Sequence, residues 1–415
     1  MRHAGSGRHR GGVRRRPELD AIRLVVVIGL VFFHSALVFD PQADFYVRNR
    51  DTTPVTTVLA ALGVVWAMPV LFLIAGLGAW HSLRRRGPAG FATERLLRLG
   101  VPLLFVTVAL TPIPQWLRRR SDPGYDESYP RFLRRFFDVH LEWPRFPFVL
   151  QGPDFETGHL WFVLLLLTFS LLLAPAAGGA LGARPARVVD RMAEAVVRRR
   201  GLVLLPAVPV AAVCALFGIE QGYGVWSRAA YLLFFGYGLL LAADERFRTA
   251  MRRAAKPAAV LGVALFAAAM AGFASVDDPL TAMTLLATGA RGLYGLAGWC
   301  WLVAILGFSD RPQRAATART RPQQPRAYRR LAAVALPFYL LHQPIIVIVA
   351  DQVVRLPAPI LVKYVIIVAA SLALTIAACD LVVRRTRVTR VLFGMRAPRE
   401  AEMKESRPSL PPTEP

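Results

Sequence analysis

The residues of this chain best suited to chemistry are ionisable groups set in apolar sequence. The stretch 17–39, PELDAIRLVVVIGLVFFHSALVF, carries Asp20 and Arg23 near one end and His34 towards the other. Ionisable side chains inside a membrane-length helix are costly, so by default they mark function. Asp20 and Arg23 are three residues apart, a spacing that lets them pair on one helical face. His34 follows Arg23 by eleven residues. That is close to three turns, so the two share a face about 16 Å apart along the axis. An imidazole with an ordinary pKa near 6.5 suits general-base work at neutral pH, and it can also act as a nucleophile. The plainer alternatives are that Arg23 snorkels to the headgroups and that His34 bonds across helices for packing.

Further along, Arg95 and Arg98 stand three apart beside Glu94, a pattern that could clamp an anionic group such as a phosphate. The preceding run Arg84-Arg85-Arg86 needs no chemical role, because it sits where a cytoplasmic turn would be basic anyway. His159 and Trp161 open a later apolar run, where Trp161 alone would be an interfacial anchor. The segment PFYLLHQP, residues 337–344, adds Tyr339, His342 and Gln343 within another. These place three histidines towards one side of the sequence's apolar runs and the arginines towards the other. Pro69 inside the second run frees a backbone carbonyl and permits a kink, and Gly76 and Gly78 permit close helix contact.

The elements that must position these residues are helices. The chain has 415 residues, is 55% hydrophobic and only 19% charged, and has a mean hydropathy of +0.42. Repeated apolar runs near 20 residues predict an all-α, polytopic membrane bundle of about ten transmembrane helices. They fall at about 19–39, 56–81, 96–116, 159–178, 201–219, 226–243, 257–275, 281–307, 331–350 and 359–382. Most of the 51 Lys and Arg residues lie in segments 1–16, 82–98, 179–200, 243–257, 308–330 and 384–415. With Arg23 the exception, the remaining basic residues fall on the opposite side. This alternation predicts that those six segments, and so both termini, are cytoplasmic.

The net charge of +24 would suggest nucleic acid in a soluble chain, but basic clusters between apolar runs are a topology signal, and no nucleic-acid partner is expected. The expected organisation is a basic tail over 1–16, a transmembrane domain over 17–385 and a tail over 386–415 whose prolines predict disorder. Within the domain lie a basic linker, 308–330, and a long outer loop, 117–158, rich in arginine, carboxylates and aromatics. Such a loop could form a lid, line a sugar-binding cleft or lie in the interface. Cys214, Cys300 and Cys379 are far apart within apolar runs, with neither metal-ligand nor disulfide spacing. No metal site is expected. High Ala and Arg content suggests a GC-rich bacterial genome.

Five motifs in order carry a resemblance: Leu19-Asp20-x-x-Arg23 with His34, Met68-Pro69-x-x-Phe72-x-x-x-Gly76, Arg95-x-x-Arg98, Gly158-His159-Leu160-Trp161-Phe162 and Phe338-Tyr339-Leu340-Leu341-His342-Gln343-Pro344. With the matching helix count, the chain resembles the integral-membrane acyltransferase family 3 from about residue 15 to 385, nearest its glucan biosynthesis protein C branch. The resemblance implies transfer of an acyl group, acetyl or succinyl, from cytoplasmic acyl-coenzyme A to a hydroxyl of an extracytoplasmic carbohydrate or envelope glycan. It implies an enzyme of the cell membrane, the bacterial inner membrane in the family's usual setting, with no tightly bound cofactor. It further implies that His34 is catalytic and that Arg23, Arg95 and Arg98 bind the donor; Asp20, His159, Trp161, Tyr339 and His342 are further candidates from their own types and positions. A transporter of a lipid, acyl carrier or glycan precursor is the rival from another class. Against it stand the absence of an inverted repeat and of paired acidic residues deep in the runs. A non-catalytic scaffold for envelope assembly is a third reading.

Overall fold

The computed structural model describes residues 16–180, 183–219, 224–310 and 326–395. The expectations placed on the N-terminal tail, on most of the 308–330 linker and on the end of the C-terminal tail lie outside the described residues.

Helix α1 (Pro17–Leu37) starts at a proline, whose missing N–H costs nothing in a first turn. It buries Ile22, Val26, Val27, Leu30 and Val31 and leaves Val25 and Phe32 exposed, an outward face suited to lipid. Thr53 caps α2 (Pro54–Arg95) by accepting from the Val55 N–H. Straight, 42 residues would span about 63 Å, twice a bilayer core. The helix instead breaks at Gly87, where φ is 71° and ψ 174°, a left-handed region that glycine enters without strain, and Pro88 follows. A π turn over Leu96–Gly100 then leads into α3 (Val101–Ala109) and α4 (Pro112–Arg120).

The expected long loop is folded. It holds the end of α4, then α5 (Tyr129–Phe136) and a two-stranded antiparallel hairpin of β1 (His140–Leu141) and β2 (Leu150–Gln151). A short turn at Gly158–Leu160 opens α6 (Trp161–Ala180). The basic segment after it is helical too, as α7 (Ala183–Arg198). The expected helix at 201–219 is shorter and less regular, a tight turn over Arg200–Leu204 followed by α8 (Ala207–Phe217). Then come α9 (Val225–Ala243), α10 (Glu245–Phe273), α11 (Leu285–Ser309), α12 (Arg326–Ala333), α13 (Ala335–Val353), α14 (Ile360–Ala378) and α15 (Arg387–Leu392).

Among the described residues, eight helical stretches are long and apolar enough to cross a membrane. One of them, Pro54–Arg120, is 67 residues long. At 1.5 Å per residue that is about 100 Å, so with its break at Gly87 it counts as two arms. The pair Ala186–Arg198 and Gly201–Phe217, bent by 120°, passes the same test only together. The chain is an all-α, multi-pass membrane bundle.

Close backbone contact holds its centre. A Cβ on Gly76 would collide with the Phe235 carbonyl of α9, and one on Gly238 would collide with the Leu73 carbonyl of α2. Phe72, fully buried one turn away, meets Tyr231 at 4.7 Å and Phe162 at 4.8 Å. Gly78 plays no such part; its nearest neighbour is the Arg23 guanidinium at 3.7 Å.

Arg23 has two buried basic companions within the apolar helices. Arg291 is fully buried in α11, and Lys363 is buried in α14. Both find carbonyl partners, although the Arg291 Nε has none among the described residues. Arg291 donates to the carbonyls of Pro279, Ala282 and Ala215, and Lys363 to Asn49 Oδ1 and the Val354 carbonyl at 2.9 Å each. Near a helix start, loop carbonyls supply the partners that lipid cannot. All three cysteines are buried and unpaired, as their spacing implied.

Candidate active site

The site is built where the far end of α1 meets α13 and the start of α6. Three imidazoles from these three elements converge. The His34 ring lies 5.2 Å from that of His342, and the His342 ring lies 5.3 Å from that of His159. His342 is fully buried and His159 nearly so, while His34 is half-buried. Phe33 meets the His34 ring edge-on at 5.0 Å, and Phe45 stacks on it at 6.0 Å.

Hydrogen bonds set which ring nitrogens are available. Carbonyl oxygens only accept, so each ring nitrogen facing one must carry its hydrogen. His342 Nδ1 donates to the Tyr339 carbonyl at 2.5 Å, which in the neutral ring leaves the lone pair on Nε2. His159 Nε2 donates to the Leu340 carbonyl at 3.1 Å, and the Tyr339 hydroxyl donates back to the His159 carbonyl. His159 and Tyr339 thus tie the start of α6 to α13.

Four buried polar atoms here have no hydrogen-bond partner among the described residues: His34 Nδ1, Ser35 Oγ, His342 Nε2 and Gln343 Oε1. Buried polar groups are nearly always paired, so a concentration of unpaired ones is a site waiting for a polar guest or a small rearrangement. Among the described residues no group of His, Cys, Asp and Glu is arranged to hold a metal ion.

Trp161 stands one layer away. Its ring is 5.1 Å from Tyr231 and 6.2 Å from Phe72, and it borders the histidines through Phe162, which lies 5.5 Å from Tyr339. It is a packed core residue rather than an isolated interfacial anchor.

The arginines occupy the opposite end of α1. Asp20 and Arg23 pair at 3.7 Å, as their spacing predicts. The Arg23 guanidinium also donates to the Ile74 carbonyl at 3.2 Å, which fastens α1 to α2 just before Gly76. Arg95 ends α2 and Arg98 lies in the π turn, a widened turn of a kind common at functional sites. Both gather about Glu94: Arg98 reaches it at 3.4 Å, Arg86 at 3.8 Å and the Ser82 hydroxyl at 3.1 Å, and the charge of Arg95 acts on it as well. Arg95 also lies over the Phe91 ring at 4.9 Å. The two arginines expected to clamp an anion are thus gathered, with Arg86, around the Glu94 carboxylate.

Sequence reasoning missed Phe45 and Tyr46. They lie in the link between α1 and α2, with no periodic pattern to draw attention; the adjacent aromatic pair was the only signal. It also missed Asp154 and Glu156 as individuals within the loop's mixed charge.

A multi-pass bundle with a buried imidazole cluster at one end of a helix and guanidinium groups at the other has the form of a membrane-embedded enzyme. The family of the acyltransferase domain matches residues 16–384, and the chain belongs to that family. It is a membrane acyltransferase. No curated protein and no solved structure matches the chain.

Proposed function

We propose that the protein moves an acyl group, acetyl or succinyl, from acyl-coenzyme A bound at the arginine end to a hydroxyl of a carbohydrate or envelope glycan at the histidine end. The arginine end faces the cytoplasm in this reading, in line with the basic segments, and the resemblance to the glucan biosynthesis protein C branch favours a glucan-type acceptor and a bacterial inner-membrane setting. The observation that supports it most is the buried His34–His342–His159 cluster with its unpaired ring nitrogens, at the far end of the helix that carries Arg23.

His34 acts as the general base. His342 presents a lone pair at Nε2, so its complement is a His34 tautomer with hydrogen on Nδ1; the two orphaned atoms satisfy each other after a small ring rotation. His34 Nε2 is then left to take the acceptor's proton. The hydroxyl oxygen bonds to the thioester carbonyl carbon as its proton passes to Nε2. The tetrahedral intermediate collapses, the carbon–sulfur bond breaks, and the departing thiolate takes the proton from the imidazolium. Such a base contributes on the order of 10²–10⁴ in rate. Arg23, Arg95 and Arg98 hold the donor's phosphates while the pantetheine arm reaches along α1, about 16 Å from Arg23 to His34.

The test is transfer of label from acetyl- and succinyl-coenzyme A to cell-envelope glycans by the detergent-purified protein and its His34→Ala variant. Transfer is expected with wild type and lost with the variant; transfer that survives the substitution would overturn the assignment of His34.

A further inference from the structure

At the histidine end, α4 and the segment before α6 line an open cavity of about 370 Å³ whose walls include Gln115, Arg118, Arg119, Asp154, Phe155 and Glu156. We infer that this cavity is a binding cleft for a neutral, polyhydroxylated ligand, an oligosaccharide chain, delivering it to the histidine cluster. The inference deepens the acyl-transfer reading, on which it rests only for what is done to the bound sugar.

The first argument is charge. Arg118, Arg119 and Asp154 each have an oppositely charged partner, and Glu156 lies in the field of Arg118. Arg118 pairs with Asp44, Arg119 with Asp154 at 2.7 Å and with Asp122 at 3.8 Å, and Arg135 reaches the other Asp154 oxygen at 2.5 Å. Gln115 donates to Glu156. Such internal pairing gives no net attraction for an anion or a cation. It still leaves many directional groups, because a guanidinium has five N–H donors and a carboxylate about four acceptor sites. A ligand dense in hydroxyls, each both donor and acceptor, uses both kinds at once, and the Phe155 ring offers an apolar wall for a sugar's C–H face.

The second argument is construction. Asp154 is buried, with 6% of its surface exposed, and the two arginines from α4 and α5 converge on it. The cleft wall is thereby fixed to two helices rather than left to a mobile loop. Phe155 is backed by Phe136 at 5.4 Å, itself fully buried. Directional recognition needs this kind of support.

The third argument is continuity with the histidines. The Tyr46 hydroxyl bonds to Glu156, and a Cβ on Gly158 would lie 2.8 Å from the same hydroxyl. Gly158, at a φ of 50°, therefore permits Tyr46 to close on the chain one residue before His159. The neighbouring Phe45 stacks on His34. The cleft and the histidine cluster are thus joined by two adjacent aromatic residues and by three residues of chain from Glu156 to His159. Burial lifts the Glu156 carboxyl above its ordinary range, and Arg118 pulls the other way.

Direct binding tests this. Tritiated neutral tetrasaccharides of glucose, galactose and N-acetylglucosamine are titrated against the full-length protein in detergent, with acetyl-coenzyme A binding measured in parallel as a check on folding. Wild type is expected to bind at least one of them. Glu156→Gln, which loses a hydrogen bond to a charged group, and Phe155→Leu, which loses the flat aromatic wall while keeping a side chain against Phe136, are each expected to weaken that binding by about tenfold. Donor binding should not change. A wild type that binds none of the tetrasaccharides, or variants that bind them as wild type does, overturns the cleft. Sugar binding that depends on Glu156 and Phe155 in a protein that transfers no acyl group would uphold the cleft and defeat the acyl-transfer reading instead.

Discussion

Replacement of His342 by phenylalanine probes the centre of the proposed mechanism. The ring volume is kept, but two things go: the Nδ1 donation to the Tyr339 carbonyl at 2.5 Å and the unpaired Nε2 acceptor on the ring 5.2 Å from His34. The first loss is mild. The Tyr339 carbonyl lies within α13 and keeps its helical partner, so stability should fall by about 0.5–1.5 kcal/mol, the net worth of one hydrogen bond. The second loss falls on the reaction. A His34 imidazolium needs an acceptor for each N–H, and its buried Nδ1–H would have none. An unsatisfied buried donor costs about 1–3 kcal/mol, which on the barrier slows turnover by about 5- to 150-fold. Initial rates with labelled acyl-coenzyme A, beside donor affinity and thermal unfolding, separate the two effects. kcat should fall while donor KM holds. His342→Asn can replace the Nδ1 donor and should restore stability without rate. His342→Gln reaches further, offers an amide oxygen near the position of Nε2, and should recover part of the rate. A phenylalanine variant within about twofold of wild-type kcat would refute this reasoning, since the orphaned nitrogen would then carry none of the estimated cost. So would equal rescue of rate by Asn and Gln.

Two further outcomes follow from the same contacts. Arg95→Ala or Arg98→Ala should weaken coenzyme A binding by about 1–3 kcal/mol, the strength of a charge-assisted contact, as read by isothermal titration; unchanged affinity in both would remove the clamp around Glu94 from the donor site. Gly76→Ala should destabilise the bundle by about 1–3 kcal/mol in thermal unfolding, because the added Cβ meets the Phe235 carbonyl. Gly78→Ala, whose Cβ would meet only the Arg23 guanidinium at an ordinary 3.7 Å, should be tolerated, and equal loss in both would show that the close approach of α2 and α9 is not what Gly76 provides.

Much of the architecture was legible because a bilayer imposes strong one-dimensional rules. A run of apolar residues long enough to span must be helical, since no water is present to satisfy its backbone. The runs beginning at Pro17, Val225, Leu285, Ala335 and Ile360 therefore announced themselves. The pairing of Asp20 with Arg23 was equally local, a matter of helical spacing. The break at Gly87 was less visible, because the basic residues around it read as a loop while the backbone stays helical on both sides. The folded loop between α4 and α6 escaped because its order comes from distant pairs such as Asp44 with Arg118 and Arg119 with Asp154, which leave no periodic trace.

The sequence by itself determined that this is a multi-pass helical protein with ionisable groups at both ends of its first helix, because spacing and hydropathy act along the chain. Only the tertiary structure decided which of those groups meet. It joined His34 to His342 and His159, residues far apart in sequence, and it showed which of their nitrogens are already engaged with backbone carbonyls. It also placed Phe45 on His34, Trp161 in the aromatic core and Arg291 among loop carbonyls. Those outcomes depend on how helices cross and on which hydrogen-bond partners a buried side chain finds, and neither quantity is written in the order of the residues.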